Sequence, residues 1–256
     1  MALIYKPTIC VSINAFLWEG PNDNCEFLKG QLDNIRYALA PIFNYKIVLN
    51  CSNQMYDLVG SDYVDDENIY IHPSPLDKRR MHGSILHGIH RNMEFSQQWV
   101  YDHFLVLSAR TVFVRKPSIE QIVDPVNIFP GKDPEKMFTK LGGGFPMHLK
   151  PGMVPTWKMG QFINQPHGRF MRANNYTFLA SFHEGMLYTR DAVNDIINYI
   201  HEHDNLFNGE IGSSWNGAYY VNGPQEEWVT QTIAVNTGHL PASINGFPMN
   251  IPARDA

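Results

Sequence analysis

The chain has 256 residues, 44% of them hydrophobic and 18% charged, a balance that belongs to a globular protein and excludes a disordered or coiled-coil chain. Its formal net charge of −5 argues against a nucleic-acid partner, because gripping phosphates takes a surplus of Lys and Arg. Through Arg190 the chain carries 19 basic and 17 acidic residues (+2), whereas the last 66 residues carry 1 and 8 (−7).

The apolar N-terminal stretch is interrupted by Lys6 and Pro7, and no run approaches the roughly 18 apolar residues of a membrane span. No transmembrane segment and a cytoplasmic location are therefore expected. Thr8–Ile13 is a β-prone run, with Asn14 as its expected terminator. Leu28, Leu32, Ile35 and Leu39 recur at helical spacing, which predicts a helix over 25–40. Residues 46–50 and 68–72 read as two further strands. Ile85, Ile89 and Met93 share one face of a helix over 80–99, and 103–108 and 111–114 follow as strands. Pro and Gly crowd the stretch 117–182, where regularity fails and loop is expected. A helix returns over 191–201 with Val193, Ile196, Ile197 and Ile200 on its apolar face. A turn-rich passage over 205–223 leads to a last helix over 224–235. Strands alternating with helices predict one α/β domain with a mainly parallel central sheet flanked by helices.

The three cysteines, Cys10, Cys25 and Cys51, form neither a disulfide framework nor a CxxC zinc spacing, which points to a reducing compartment. Ligands of parallel sheets bind at the carboxyl ends of strands, near a topological switch point. Here those ends hold Ser12-Ile13-Asn14, Cys51-Ser52-Asn53, His72-Pro73 and Ser108-Ala109-Arg110. Neither GxGxxG nor GxxxxGK[ST] is present, so dinucleotide and P-loop readings fall away. No G-x-S-x-G elbow supports a serine hydrolase.

Four segments carry a resemblance when taken in order. They are Arg80–Glu94, Tyr101–Arg110, Ala180–Val193 (ASFHEGMLYTRDAV) and Pro224–Ile233 (PQEEWVTQTI). Together they resemble the core-2/I-branching family of inverting glycosyltransferases, over roughly residues 80–235. The resemblance implies a single GT-A-like domain, with 1–116 as the nucleotide-sugar-binding half and 117–256 as the acceptor-binding and catalytic half. It implies a hexosyl- or pentosyltransferase acting between a nucleotide-sugar donor and a glycan acceptor. The family's catalytic Glu falls on Glu227, five residues before Thr232, with Glu226 as the near competitor. An inverting transfer needs such a carboxylate as general base. Acidic residues at a helix start are also favoured by the macrodipole without any catalysis.

The chain departs from the pattern in two places. Where many GT-A enzymes hold Mn²⁺ or Mg²⁺ with Asp-x-Asp, it reads Ser108-Ala109-Arg110-Thr111. No metal ligand is assigned there, and no cofactor is firmly expected. The basic residues that neutralise the leaving diphosphate in the core-2 family are missing, since only Arg254 follows Glu227. Arg110 is the first candidate for that task, then Arg79, Arg80 and His239. Ser12, Asn14, Ser108 and Ala109 would line the donor pocket, and Trp157, His183 and Glu184 the acceptor side. Trp157, Phe162, Phe170 and Tyr176 read equally as a sugar-stacking wall or as core.

The histidines give weaker signals. His87 and His90 share a helix face but lack a third ligand, and His201-Glu202-His203-Asp204 sits at a polar helix end where cationic His is favoured. Two other classes stay open: a non-catalytic carbohydrate- or nucleotide-binding module, and a methyltransferase. The latter usually shows a Gly-rich turn after its first strand, which Ser12-Ile13-Asn14-Ala15 lacks.

Overall fold

The computed structural model describes residues 5–15, 26–74, 83–109, 111–117, 145–147, 165–180, 185–209, 217–220, 225–239 and 249–250. Five strands form the central sheet in the order β3-β2-β1-β4-β8. These are β1 (Thr8–Ala15), β2 (Asn44–Cys51), β3 (Ile69–Pro73), β4 (His103–Ser108) and β8 (Met186–Thr189). The first four run parallel, and β8 runs antiparallel to β4. Two minor pairs join β5 (Val112–Phe113) to β9 (Met249–Asn250) and β6 (Phe145–Met147) to β7 (Phe178–Ala180). The α/β architecture expected from the alternating pattern is what the chain adopts.

Period-two alternation divides the sheet between two cores. Ile9, Val11, Ile13 and Ala15 of β1 face one way, with Ile47 and Leu49 of β2 and Leu105 and Leu107 of β4. They pack against Leu28, Leu32, Ile35 and Leu39 of α1 (Glu26–Leu39). Cys10, Val48, Phe104 and Val106 face the other way, onto Leu86, Ile89 and Met93 of α3 (Gly83–Ser96) and Val193, Ile196 and Ile200 of α5 (Arg190–Glu202).

The first strand does not end at Asn14. It continues to Ala15, because Asn14 pairs in register with both Asn50 and Ser108 and is held in the ladder from each side. The helix expected over 224–235 is broken. Gln225–Glu227 forms a 3₁₀ turn, Trp228 leaves helical geometry at φ −132°, and α7 covers Val229–Asn236.

Two helices of eight or more residues fall where none was expected. One is α2 (Asn53–Tyr63), capped by Ser52 Oγ accepting from the Met55 amide. The other is α4 (Pro166–Ala173), started by Pro166 inside the stretch read as loop. After α5 comes α6 (Asp204–Asn208), and a 3₁₀ turn over Ala218–Tyr220 lies against both α6 and α3. Gly217 permits that approach: a Cβ there would lie 2.1 Å from the Phe207 carbonyl oxygen. Among the described residues, no helix is long and apolar enough to cross a membrane. Cys10 and Cys51 are buried free thiols, and Cys25 lies outside the described residues.

Candidate functional site

The strand order fixes where a ligand can enter. From β1 the sheet steps through β2 to β3, then the chain returns to lay β4 on the other side of β1. The crevice at such a reversal, beyond the carboxyl ends of β1 and β4, is where ligands of open α/β sheets bind. Four register partners meet there in one row across the sheet: Ser108 on β4, Asn14 on β1, Asn50 on β2 and His72 on β3. All lie on the α3 side, two residues beyond the apolar set Val48 and Val106. The opposite face stays apolar out to Ala15 and Cys51, because it must cover α1. Polarity at the strand ends is therefore confined to one face.

The α3 helix reaches this row through Asn92. Asn92, fully buried, projects from the helix onto the sheet. Its amide nitrogen donates to Ser12 Oγ at 2.9 Å and to the Ile13 carbonyl at 3.1 Å. Its oxygen meets His72 Nε2 at 2.8 Å, and His72 Nδ1 meets Asn50 Nδ2 at 3.0 Å. These contacts select the tautomer with the proton on Nε2: Asn92 accepts from it, and Nδ1 accepts from Asn50. Asn50, His72, Asn92 and Ser12 thus form a continuous relay across four elements.

Asn14 stands outside the relay. It is 7% exposed, and among the described residues neither its amide nitrogen nor its amide oxygen has a hydrogen-bond partner. Burying an unmatched amide is costly, which makes Asn14 a candidate contact for a ligand at the mouth of the sheet. Beside it, the Ser108–Thr111 turn is fixed internally: Ser108 Oγ and Thr111 Oγ1 are 3.1 Å apart, and the Thr111 amide donates to the Ser108 carbonyl. Gln31 of α1 braces it, donating at 2.7 Å to the carbonyls of both Ser108 and Thr111. Ala109 packs toward the α1 core instead of the polar row.

Glu226 and Glu227 lie in the 3₁₀ turn that packs on α3 and leads into α7, not in the first helical turn. Both are buried, at 4% and 8% exposure. His239 follows α7 and pairs with Asp195 of α5 at 2.7 Å, an engagement that the sequence pattern did not indicate. Arg79, Arg80, Arg110, Trp157, His183 and Glu184 lie outside the described residues. The structure thus brings Ser12, Asn14 and Ser108 together with His72, which the sequence marked only as a strand end, and adds Asn50 and Asn92, which sequence reasoning missed. The signal for Asn92 was present: it interrupts the sheet-facing stripe Ile85, Ile89, Met93 with an amide.

A cavity of about 390 Å³ lined by Lys6, Asn44, Lys46 and Asn68 opens at the amino ends of β1 and β2. That is the end of the sheet away from the polar row, and it takes no part in the site. No protein-family model matches the chain, and no curated protein matches it.

Proposed function

We propose that the chain is an inverting glycosyltransferase of GT-A-like fold that moves a sugar from a nucleotide-sugar donor to a carbohydrate acceptor. The observation that carries this reading is the buried amide of Asn14, with neither donor nor acceptor matched, at the switch point between β1 and β4. A donor and an acceptor side by side complement a nucleobase edge or a ribose hydroxyl. Ser12 and Ser108 share its face and complete the donor side.

In the reaction the acceptor hydroxyl oxygen attacks the anomeric carbon while that carbon's bond to the diphosphate oxygen breaks. The hydroxyl proton passes to the Glu227 carboxylate, and the nucleoside diphosphate leaves with inversion. Burial of Glu227 suits a base shielded from bulk water. We assign the leaving charge to Arg110, next in sequence to Ala109, with Arg79 and Arg80 as further cations. His239 is the weaker candidate, since Asp195 already engages it. Trp157, His183 and Glu184 are assigned to the acceptor. Buried free thiols at Cys10 and Cys51 suit the reducing cytosol, where we place the enzyme.

One observation favours a second reading, a binding module without turnover: only one basic residue, Arg254, follows Glu227. Glu227→Gln separates the two. The enzyme reading expects transfer, followed as release of nucleoside diphosphate, to fall about 100-fold or more while donor binding is kept. Wild-type protein that binds a donor and releases no diphosphate with any acceptor identifies the binding module.

A further inference from the structure

We infer that His90, Glu94 and His201 form a binding site for a zinc-class divalent cation, built between α3 and α5. His90 and Glu94 are one turn apart on α3, each two residues from Asn92, and so face away from the sheet-bound relay. His201 reaches them from near the end of α5. One ligand atom from each of the three lies within 4.8 Å of the other two. His201 Nε2 is 2.8 Å from Glu94 Oε1, and His90 Nε2 is 3.8 Å from the same oxygen. Neighbouring ligands of a tetrahedral zinc stand about 3.3 Å apart, given bonds of about 2.0–2.1 Å. The two observed separations bracket that spacing.

Two features distinguish this cluster from an ordinary surface ion pair. His90 is 5% exposed, and among the described residues its Nε2 has no hydrogen-bond partner although it is directed at the carboxylate. The other ring nitrogen, Nδ1, is committed to the Tyr219 hydroxyl at 2.7 Å. A ligating imidazole needs its second nitrogen fixed in this way, since that contact sets ring orientation and tautomer.

The second oxygen of Glu94 bonds to the Arg91 guanidinium. That contact holds the carboxylate and leaves Oε1 as a single ligand atom. Two imidazole nitrogens and one carboxylate oxygen suit zinc, cobalt or nickel better than magnesium or calcium, which prefer oxygen-only shells. His201 is largely exposed, so a fourth position opens to solvent and takes water. Bound metal would tie α5 to α3 and, through His90 and Tyr219, fix the 218–220 turn.

The test is calorimetric titration of the chelator-stripped full chain with Zn²⁺, paired with visible absorption of the Co²⁺ form. One Zn²⁺ per chain, a raised melting temperature and cobalt bands of a tetrahedral nitrogen–oxygen set are expected, with no response to Mg²⁺ at the same concentration. His201→Gln changes an exposed side chain and should keep its circular dichroism while weakening Zn²⁺ about tenfold or more. Glu94→Gln, a second route to the same site, should do likewise, and the neighbouring His203→Gln should bind as wild type. Absence of saturable Zn²⁺ binding overturns the site. So does binding that His201→Gln and Glu94→Gln both leave unchanged.

Discussion

Replacing Asn14 by Val should make the ligand-free protein more stable, which is unusual for a buried position next to a hydrogen-bonded network. The side chain is 7% exposed and its two polar atoms have no hydrogen-bond partner among the described residues, so folding strips water from a donor and an acceptor without return. Stranding such groups costs about 1–3 kcal/mol. Valine is close in volume, favours strands and retains nearly all of its burial here, worth about 1.5 kcal/mol or more on its own. The backbone ladder to Asn50 and Ser108 is unaffected. We expect a gain of about 1–3 kcal/mol, read as a higher urea midpoint with unchanged slope. In a domain of this size that is about 2–4 °C in melting temperature per kcal/mol. A loss exceeding about 1 kcal/mol would refute the reasoning, because Asn14 would then be supporting the fold instead of awaiting a partner.

Asn92→Ala should act in the opposite direction. It strands Ser12 Oγ, the Ile13 carbonyl and His72 Nε2, and about 3–5 kcal/mol of lost stability is expected by urea unfolding; a loss below about 1 kcal/mol would deny the relay. Acid should destabilise the fold well before carboxylates titrate. Burial holds His167 down to about 3 and lowers His103 despite Asp102. The unfolded chain, with imidazoles near 6.5, binds those protons first, so their contribution is intact above about pH 6.5. For His167 it falls as pH drops from there toward 3, by about 1.4 kcal/mol per pH unit, and His103 adds to the loss in the same direction. His167→Phe should flatten that slope by one proton, measured as stability against pH; an unchanged slope counts against a neutral buried His167.

The sheet and its layers were legible because buried parallel strands carry long apolar runs and α1, α3 and α5 carry helical stripes. Legibility failed where burial is slight. The second helix buries only Met55 and Val59, and the fourth only His167, Gly168 and Met171, too few positions to set a period. The last helix misled in another way: Gln225–Glu227 has helical residues, yet the chain there leaves helical geometry at Trp228. At the site, Ser12, Asn14 and Ser108 could be picked from strand ends, but their alignment in one row depends on strand order, which sequence does not encode locally. Asn14 looked like a stop because asparagine is rare in strands; ladder partners on both sides override that preference. The grouping of His90 and Glu94 with His201, more than 100 positions along the chain, needed the packing of α5 beside α3.

Donor binding at the switch point is the central claim, and a panel of UDP-, GDP-, dTDP- and CMP-sugars tests it most directly. Wild-type protein and Asn14→Val would each be melted with every donor, in Mn²⁺ and in EDTA. The account predicts that one nucleotide series raises the wild-type melting temperature in EDTA, by an amount near 2.7 kcal/mol of stabilisation at about a hundred times the dissociation constant. It also predicts that Asn14→Val, though more stable alone, gains little or nothing. Equal gains in both proteins would move the donor away from Asn14, and silence toward every nucleotide sugar in wild type would contradict the account.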